Sequence, residues 1–234
     1  MAALAGLLPS DDGFGALNEV ISLYEEWVAT KRDDIPGLPQ RYRSAASLHM
    51  EQCTRCLERM KAGYEYLLAN TTARRAFQLA NHAILLQQLH SRRSSRQITF
   101  DEKAKRLQFS EPYTEPDPRQ PSSDRGMWRP FQIAFLLMSI CSTADADALE
   151  RRTVELIWFP TGGGKTEAYL GLAAFALFMR RLSDPNDIGV HVLMRYTLRL
   201  LTAQQFQRAS GLACAMEYLR RRSTAELGSV PISI

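Results

Sequence analysis

Apolar positions in the first ninety residues recur with a helical period. Leu17, Val20, Ile21, Tyr24, Trp27 and Val28 stand at i, i+3, i+4 and i+7 spacings, which is one face of a helix. The run Lys31–Pro39, with two prolines and a glycine, ends that helix. A second stripe, made of Cys53, Cys56, Leu57, Met60, Tyr64, Leu67 and Leu68, predicts a long helix over Arg43–Leu68. Asn70-Thr71-Thr72 then offers a turn and an N-cap for a third helix over Ala73–His90, with Phe77, Ala80, Ile84 and Leu85 on its core side.

The period is lost between Ser94 and Met127. Gln97–Phe100 alternates briefly, and the stretch 111–126 is rich in Pro, Ser, Asp and Glu with no apolar repeat. Residues 97–127 therefore read as a surface linker between a helical N-terminal domain (1–96) and a second domain (128–234). In the second part apolar runs and helical patterns alternate. They predict a buried helix over Pro130–Ser142, a strand over Val154–Trp158, a helix over Lys165–Arg181, a strand over Val190–Thr197 and a helix over Leu200–Arg222. A third β-like run begins at Val230–Ile234. This is βαβ spacing, so the expected fold class is α/β, with helices covering a parallel sheet.

Composition changes this picture little. The chain has 234 residues, 45% of them hydrophobic, and a net charge of +4, enough for a buried core and too little charge to imply nucleic acid. The distribution says more: residues 151–234 hold 11 Lys/Arg against 6 Asp/Glu. That basic excess suits a phosphate backbone. The apolar stretches Phe131–Ala144 and Ala168–Met179 are too short to span a bilayer, so a cytoplasmic protein without a membrane partner is expected. Cys53-x-x-Cys56, with His49 just upstream, could be half of a metal site. The second ligand pair is lacking, and both thiols sit on the apolar stripe as small core residues.

The chemistry lies in Phe159–Thr166, which reads FPTGGGKT between an apolar run and a helical pattern. Gly162, Gly163 and Gly164 allow backbone angles that turn successive N–H groups toward an anion. The helix that follows adds the partial positive charge of its N-terminus. Thr161 begins the nest, Lys165 reaches the β- and γ-phosphates, and the Thr166 hydroxyl ligates Mg²⁺. ATP and Mg²⁺ are the expected cofactors, with Lys165 and Thr166 the catalytic groups. Phe159 stands where the general phosphate-loop pattern has its first Gly. The helicase form of the loop relaxes that position.

Two neighbouring strings support the helicase form. Trp128-Arg129-Pro130-Phe131-Gln132 resembles the R-P-x-Q string of superfamily 2 helicases, in which the Gln reads the adenine edge. The alternative is that Trp128 and Phe131 pack in the core and Gln132 caps a helix. GVHVLMRYT followed by LRLLTAQQFQRA resembles motif Ia, which grips the sugar-phosphate backbone. Thr197 would donate a hydroxyl hydrogen bond, Arg199 a charge-assisted one, and Gln204 or Gln205 an amide contact. The alternative there is an amphipathic helix with solvated arginines.

Together with AFQLANHAILLQ in the helical region, these strings resemble the helicase subunit of bacterial DISARM phage-defence systems, the DrmA type. The likeness runs from about Tyr24 to Ile234 and is densest from Trp128 onward. It implies a large ATP-dependent helicase with two RecA-like domains, the first begun here as a partial RecA-like P-loop NTPase domain. It also implies DNA and other defence-system subunits as partners. The chain departs from that pattern in one respect: after Thr197 there is no acidic motif II to bind Mg²⁺ and position water. The expectation is an N-terminal fragment that binds ATP and turns it over slowly. The competing reading is a protein-interaction module carrying an inert, truncated P-loop.

Overall fold

The computed structural model describes residues 1–91, 96–121, 125–158, 163–195 and 199–234, with the side chains of 199–201 outside the description. The chain folds as a helical assembly. Its helices are α1 (Phe14–Asp33), α2 (Gln40–Ala69), α3 (Thr71–His90), α4 (Pro130–Ala144), α5 (Lys165–Ser183), α6 (Arg199–Arg222) and the short α7 (Thr224–Leu227).

Local chemistry sets the helix ends. Asp11 and Asp12 accept hydrogen bonds from the Gly13 and Phe14 backbone N–H groups and open α1. The α1–α2 break holds a single 3-10 turn, Ile35–Gly37, and α2 starts directly after Pro39, three residues earlier than its apolar stripe suggests. Asn70 caps α3, its side-chain oxygen accepting from Ala73 N at 2.9 Å.

α3 is the centre of the packing. It lies against α5 and α6, while α2 packs on α1 and α4, and α4 packs on α5. Ala73, Ala76, Ala80 and Ala83 are all buried on α3, and their small side chains let neighbouring helices approach. Phe77, Phe175 and Phe178 fill the spaces between. Helices from before and after the 97–127 stretch thus share one hydrophobic core. The far end of that stretch is tied to α3: Gln88 Oε1 accepts from Gly126 N at 3.0 Å, and Arg125 donates to the Gln88 carbonyl.

Among the described residues the only sheet is an antiparallel hairpin, β1 (Ile98–Asp101) with β2 (Arg106–Phe109). Its register pairs Ile98 with Phe109 and Phe100 with Leu107, which places four exposed apolar side chains on one face. The parallel sheet, and with it the RecA-like domain expected after Gly126, is overturned by the helical fold of the described residues. Val154–Trp158 is unpaired chain, with Val154 92% and Trp158 89% exposed. Residues 190–195 and 230–234 are likewise outside any strand, and Tyr196, Thr197 and Leu198 lie outside the described residues. The reason is physical. A strand needs a neighbour for its N–H and C=O groups, whereas here α3, α5 and α6 bury their apolar faces on one another.

The lower end of the assembly is locked by Glu217. Its carboxylate accepts from Arg220, from Arg221 and from the Ile232 backbone N–H, and these bonds hold its pKa far below the usual range. A depressed carboxylate stabilises the fold above its unfolded pKa, about 4.3, and that contribution is lost as pH falls through the folded value. Thermal denaturation of the wild type and of Glu217→Gln should therefore differ at neutral pH, with the wild type more stable. The gap should narrow progressively below about pH 4.

Candidate nucleotide site

The loop ahead of α5 is held from the α4 side. Gly164 is the residue before the helix and adopts φ 84°, a left-handed conformation that favours glycine. A Cβ there would stand 2.8 Å from Gln132 Nε2. Gln132 Nε2 donates to the Gly164 carbonyl at 2.7 Å, and Arg129 Nη1 donates to the Gly163 carbonyl at 2.9 Å. Gln132 is almost fully buried, and its Oε1 accepts from Arg129 N at 2.8 Å, satisfying that backbone donor at the start of α4.

Trp128 anchors this arrangement. Its Nε1–H donates to Asn81 Oδ1 at 2.7 Å, and Asn81, buried on α3, donates in turn to the Phe77 carbonyl. The indole lies so close to α5 that a Cβ at Gly171 would meet its Cη2 at 2.8 Å. The Trp-Arg-Pro-Phe-Gln string is therefore a brace from α3 and α4 to the loop. Both ends of the Gln132 amide are bonded to backbone.

Lys165 and Thr166 are the first two residues of α5, both half-buried, with Glu167 next in the same turn. Thr161 and Gly162 lie outside the described residues. Glu167 forms an ion pair with Arg208 of α6, and partial burial lowers the Arg208 pKa without removing its charge. Arg129, Glu167 and Arg208 were not singled out as site residues by sequence reasoning. Glu167 directly follows Gly-Lys-Thr, but nothing in the string points to its partner 41 positions on.

The four nucleic-acid candidates fall in different surroundings. Thr197 is outside the described residues, and Arg199 opens α6 with its side chain undescribed. Gln204 is exposed. Gln205 instead lines an apolar groove of about 540 Å³ between α5, α6 and the chain end, with its Oε1 buried and without a hydrogen-bond partner among the described residues.

Several of the basic residues of 151–234 are tied to groups within the fold. Arg181 and Arg220 are buried and donate to backbone carbonyls. Arg180 pairs with Asp187, Arg221 pairs with Glu217, and Arg222 lies 3.5 Å from the Tyr218 ring centroid. The charge count by itself thus says little about a phosphate partner.

No protein-family model matches the chain. It is 34% identical over 215 residues to the DISARM protein DrmA of Bacillus paralicheniformis. Over those residues the chain is similar to DrmA. The match takes in 89% of this chain and 18% of the relative's length, so this chain spans under a fifth of that longer protein. No helix among the described residues is long and apolar enough to cross a membrane. Among the described residues no group of three or more His, Cys, Asp or Glu could hold a metal ion.

Proposed function

We propose that the chain binds ATP and Mg²⁺ at the loop ahead of α5, as the N-terminal part of an ATP-dependent helicase or translocase in bacterial anti-phage defence. The observation that carries this reading is the left-handed Gly164 immediately before a 19-residue helix that begins Lys165-Thr166. That geometry fits a triphosphate. The first N–H groups of α5 lack intrahelical acceptors, and the helix dipole favours an anion there. Lys165 would hold the β- and γ-phosphates, and the Thr166 hydroxyl would ligate Mg²⁺. Gln132 and Arg129 keep the loop carbonyls turned away from the phosphates by bonding them. ATP, when bound, supplies the phosphoanhydride bond whose hydrolysis drives movement.

DNA is the proposed second partner, held through its backbone by Thr197, Arg199 and the exposed Gln204, the alternative amide Gln205 being turned into the groove. The similarity to DrmA supports the defence assignment and other defence-system subunits as partners. Titration of the chain with a fluorescent ATP analogue tests the nucleotide site. Saturable binding that requires Mg²⁺ is expected, and its absence would overturn the reading.

Arg199 is the one charged group among the proposed DNA contacts. Affinity for a single-stranded oligonucleotide should therefore fall with salt at a log–log slope of about −0.7, one neutralised phosphate, whatever the base sequence. A slope of zero, or strong sequence dependence, would remove the backbone contact. The competing reading, an interaction module with an inert loop, has the exposed apolar face of the β1–β2 hairpin in its favour. It predicts no nucleotide binding.

A further inference from the structure

The N-terminal end of α5 and the two glycines before it are held from two sides, and the second contact comes from the helix proposed to touch DNA. On the α4 side, Arg129 and Gln132 bond the Gly163 and Gly164 carbonyls. On the α6 side, Arg208 forms its ion pair with Glu167, the third residue of α5. Glu167 sits beside the loop: its Oε2 is 3.6 Å from where a Gly164 Cβ would stand. The Glu167 and Arg208 side chains are only 20% and 34% exposed. The pair is thus partly withdrawn from water and less screened than a surface bridge.

Arg208 lies one turn after Gln204 on the same continuous helix, so the two share a face. A shift of the first turns of α6 on meeting a backbone would move Arg208 with them. Through the ion pair it would then act on Glu167, and with it on the turn that carries Lys165 and Thr166. We propose that Glu167 and Arg208 are a positioning pair that couples nucleic-acid contact at the start of α6 to nucleotide affinity at the loop. This rests on the nucleotide and DNA sites proposed above, and it adds the connection between them.

The coupling is reciprocal and measurable as a ratio of affinities. The affinity of the 234-residue chain for a fluorescent, non-hydrolysable ATP analogue with Mg²⁺ is measured with and without a saturating single-stranded oligonucleotide. In the wild type the oligonucleotide should change that affinity by about fivefold or more. In Glu167→Gln and in Arg208→Gln the ratio should collapse toward one, whatever their affinity for nucleotide alone. The charge-swapped double variant, Glu167→Arg with Arg208→Glu, should regain part of it. A purely structural pair would lower thermal stability and leave the ratio intact.

Single variants that keep the wild-type ratio would overturn the proposal, as would a swap that recovers none of it. A wild type that binds nucleotide and oligonucleotide independently would sink the coupling and leave the proposed function standing. A wild type that binds no nucleotide would remove both.

Discussion

Lys165→Ala is expected to lose about a hundredfold or more in affinity for ATP, enough to abolish binding at micromolar nucleotide. Lys165 is the first residue of α5, behind the left-handed Gly164, and its ammonium is the mobile positive charge assigned to the β- and γ-phosphates. A hydrogen bond to a charged group contributes about 1.5–3 kcal/mol, so the loss of one or two reaches the hundredfold range. The effect should be largest for ATP, smaller for ADP and least for AMP, because the contact is made at the outer phosphates. Titration with the three nucleotides checks this, with far-UV circular dichroism confirming that the helices persist. An equal loss for all three would show that the variant damaged the loop and did not remove a phosphate contact.

Gly63→Ala should destabilise the whole assembly, although it adds only one methyl group. Gly63 is buried in α2 where that helix crosses α4. An added Cβ would lie 2.0 Å from the Leu137 carbonyl oxygen and 2.9 Å from its carbon. Those are backbone atoms, so no side-chain rotation relieves the clash and the helices must separate. Overpacking of this kind costs about 1–3 kcal/mol, occasionally more, and the upper end applies here. The helix preference of Ala over Gly returns about 1 kcal/mol. A net loss of about 2 kcal/mol corresponds to a fall in Tm of roughly 4–8 °C for a chain of this size. α4 also carries Arg129 and Gln132, so nucleotide affinity should weaken in parallel. A Tm within 1 °C of wild type would show that the two helices slide apart at little cost.

The helices were legible because their signals are local. Asn70, Pro130 and Gly164 each mark a helix start by their own backbone geometry or side chain, and the structure begins α3, α4 and α5 at those points. The hairpin was half legible. Gln97–Phe100 alternates visibly, but its partner strand Arg106–Phe109 lies within the stretch that reads as a linker, and only Asp101 accepting from Lys103 N and Ala104 N shows how the turn brings the two together.

Val154–Trp158 misled for the opposite reason. A short apolar run is compatible with a buried strand, but burial and pairing depend on what lies alongside, and no strand among the described residues lies there. At the candidate site, the glycines, Lys165 and Thr166 could be named from the string. The brace of Trp128, Arg129 and Gln132, and the reach of Arg208 to Glu167, are contacts across 32 to 47 positions that spacing does not encode.

The sequence by itself determined where helices begin and end and which residues stand at the head of α5. Capping, proline geometry and glycine's left-handed freedom act within a few residues. Tertiary structure decided the rest: that the described apolar runs after Gly126 form no strand, that buried arginines near the chain end serve the fold, and that α4 bonds the Gly163 and Gly164 carbonyls while α6 pairs with Glu167 of α5. Those outcomes depend on which groups meet across the core, and the partners of a backbone amide, a guanidinium or a carboxylate are chosen in space.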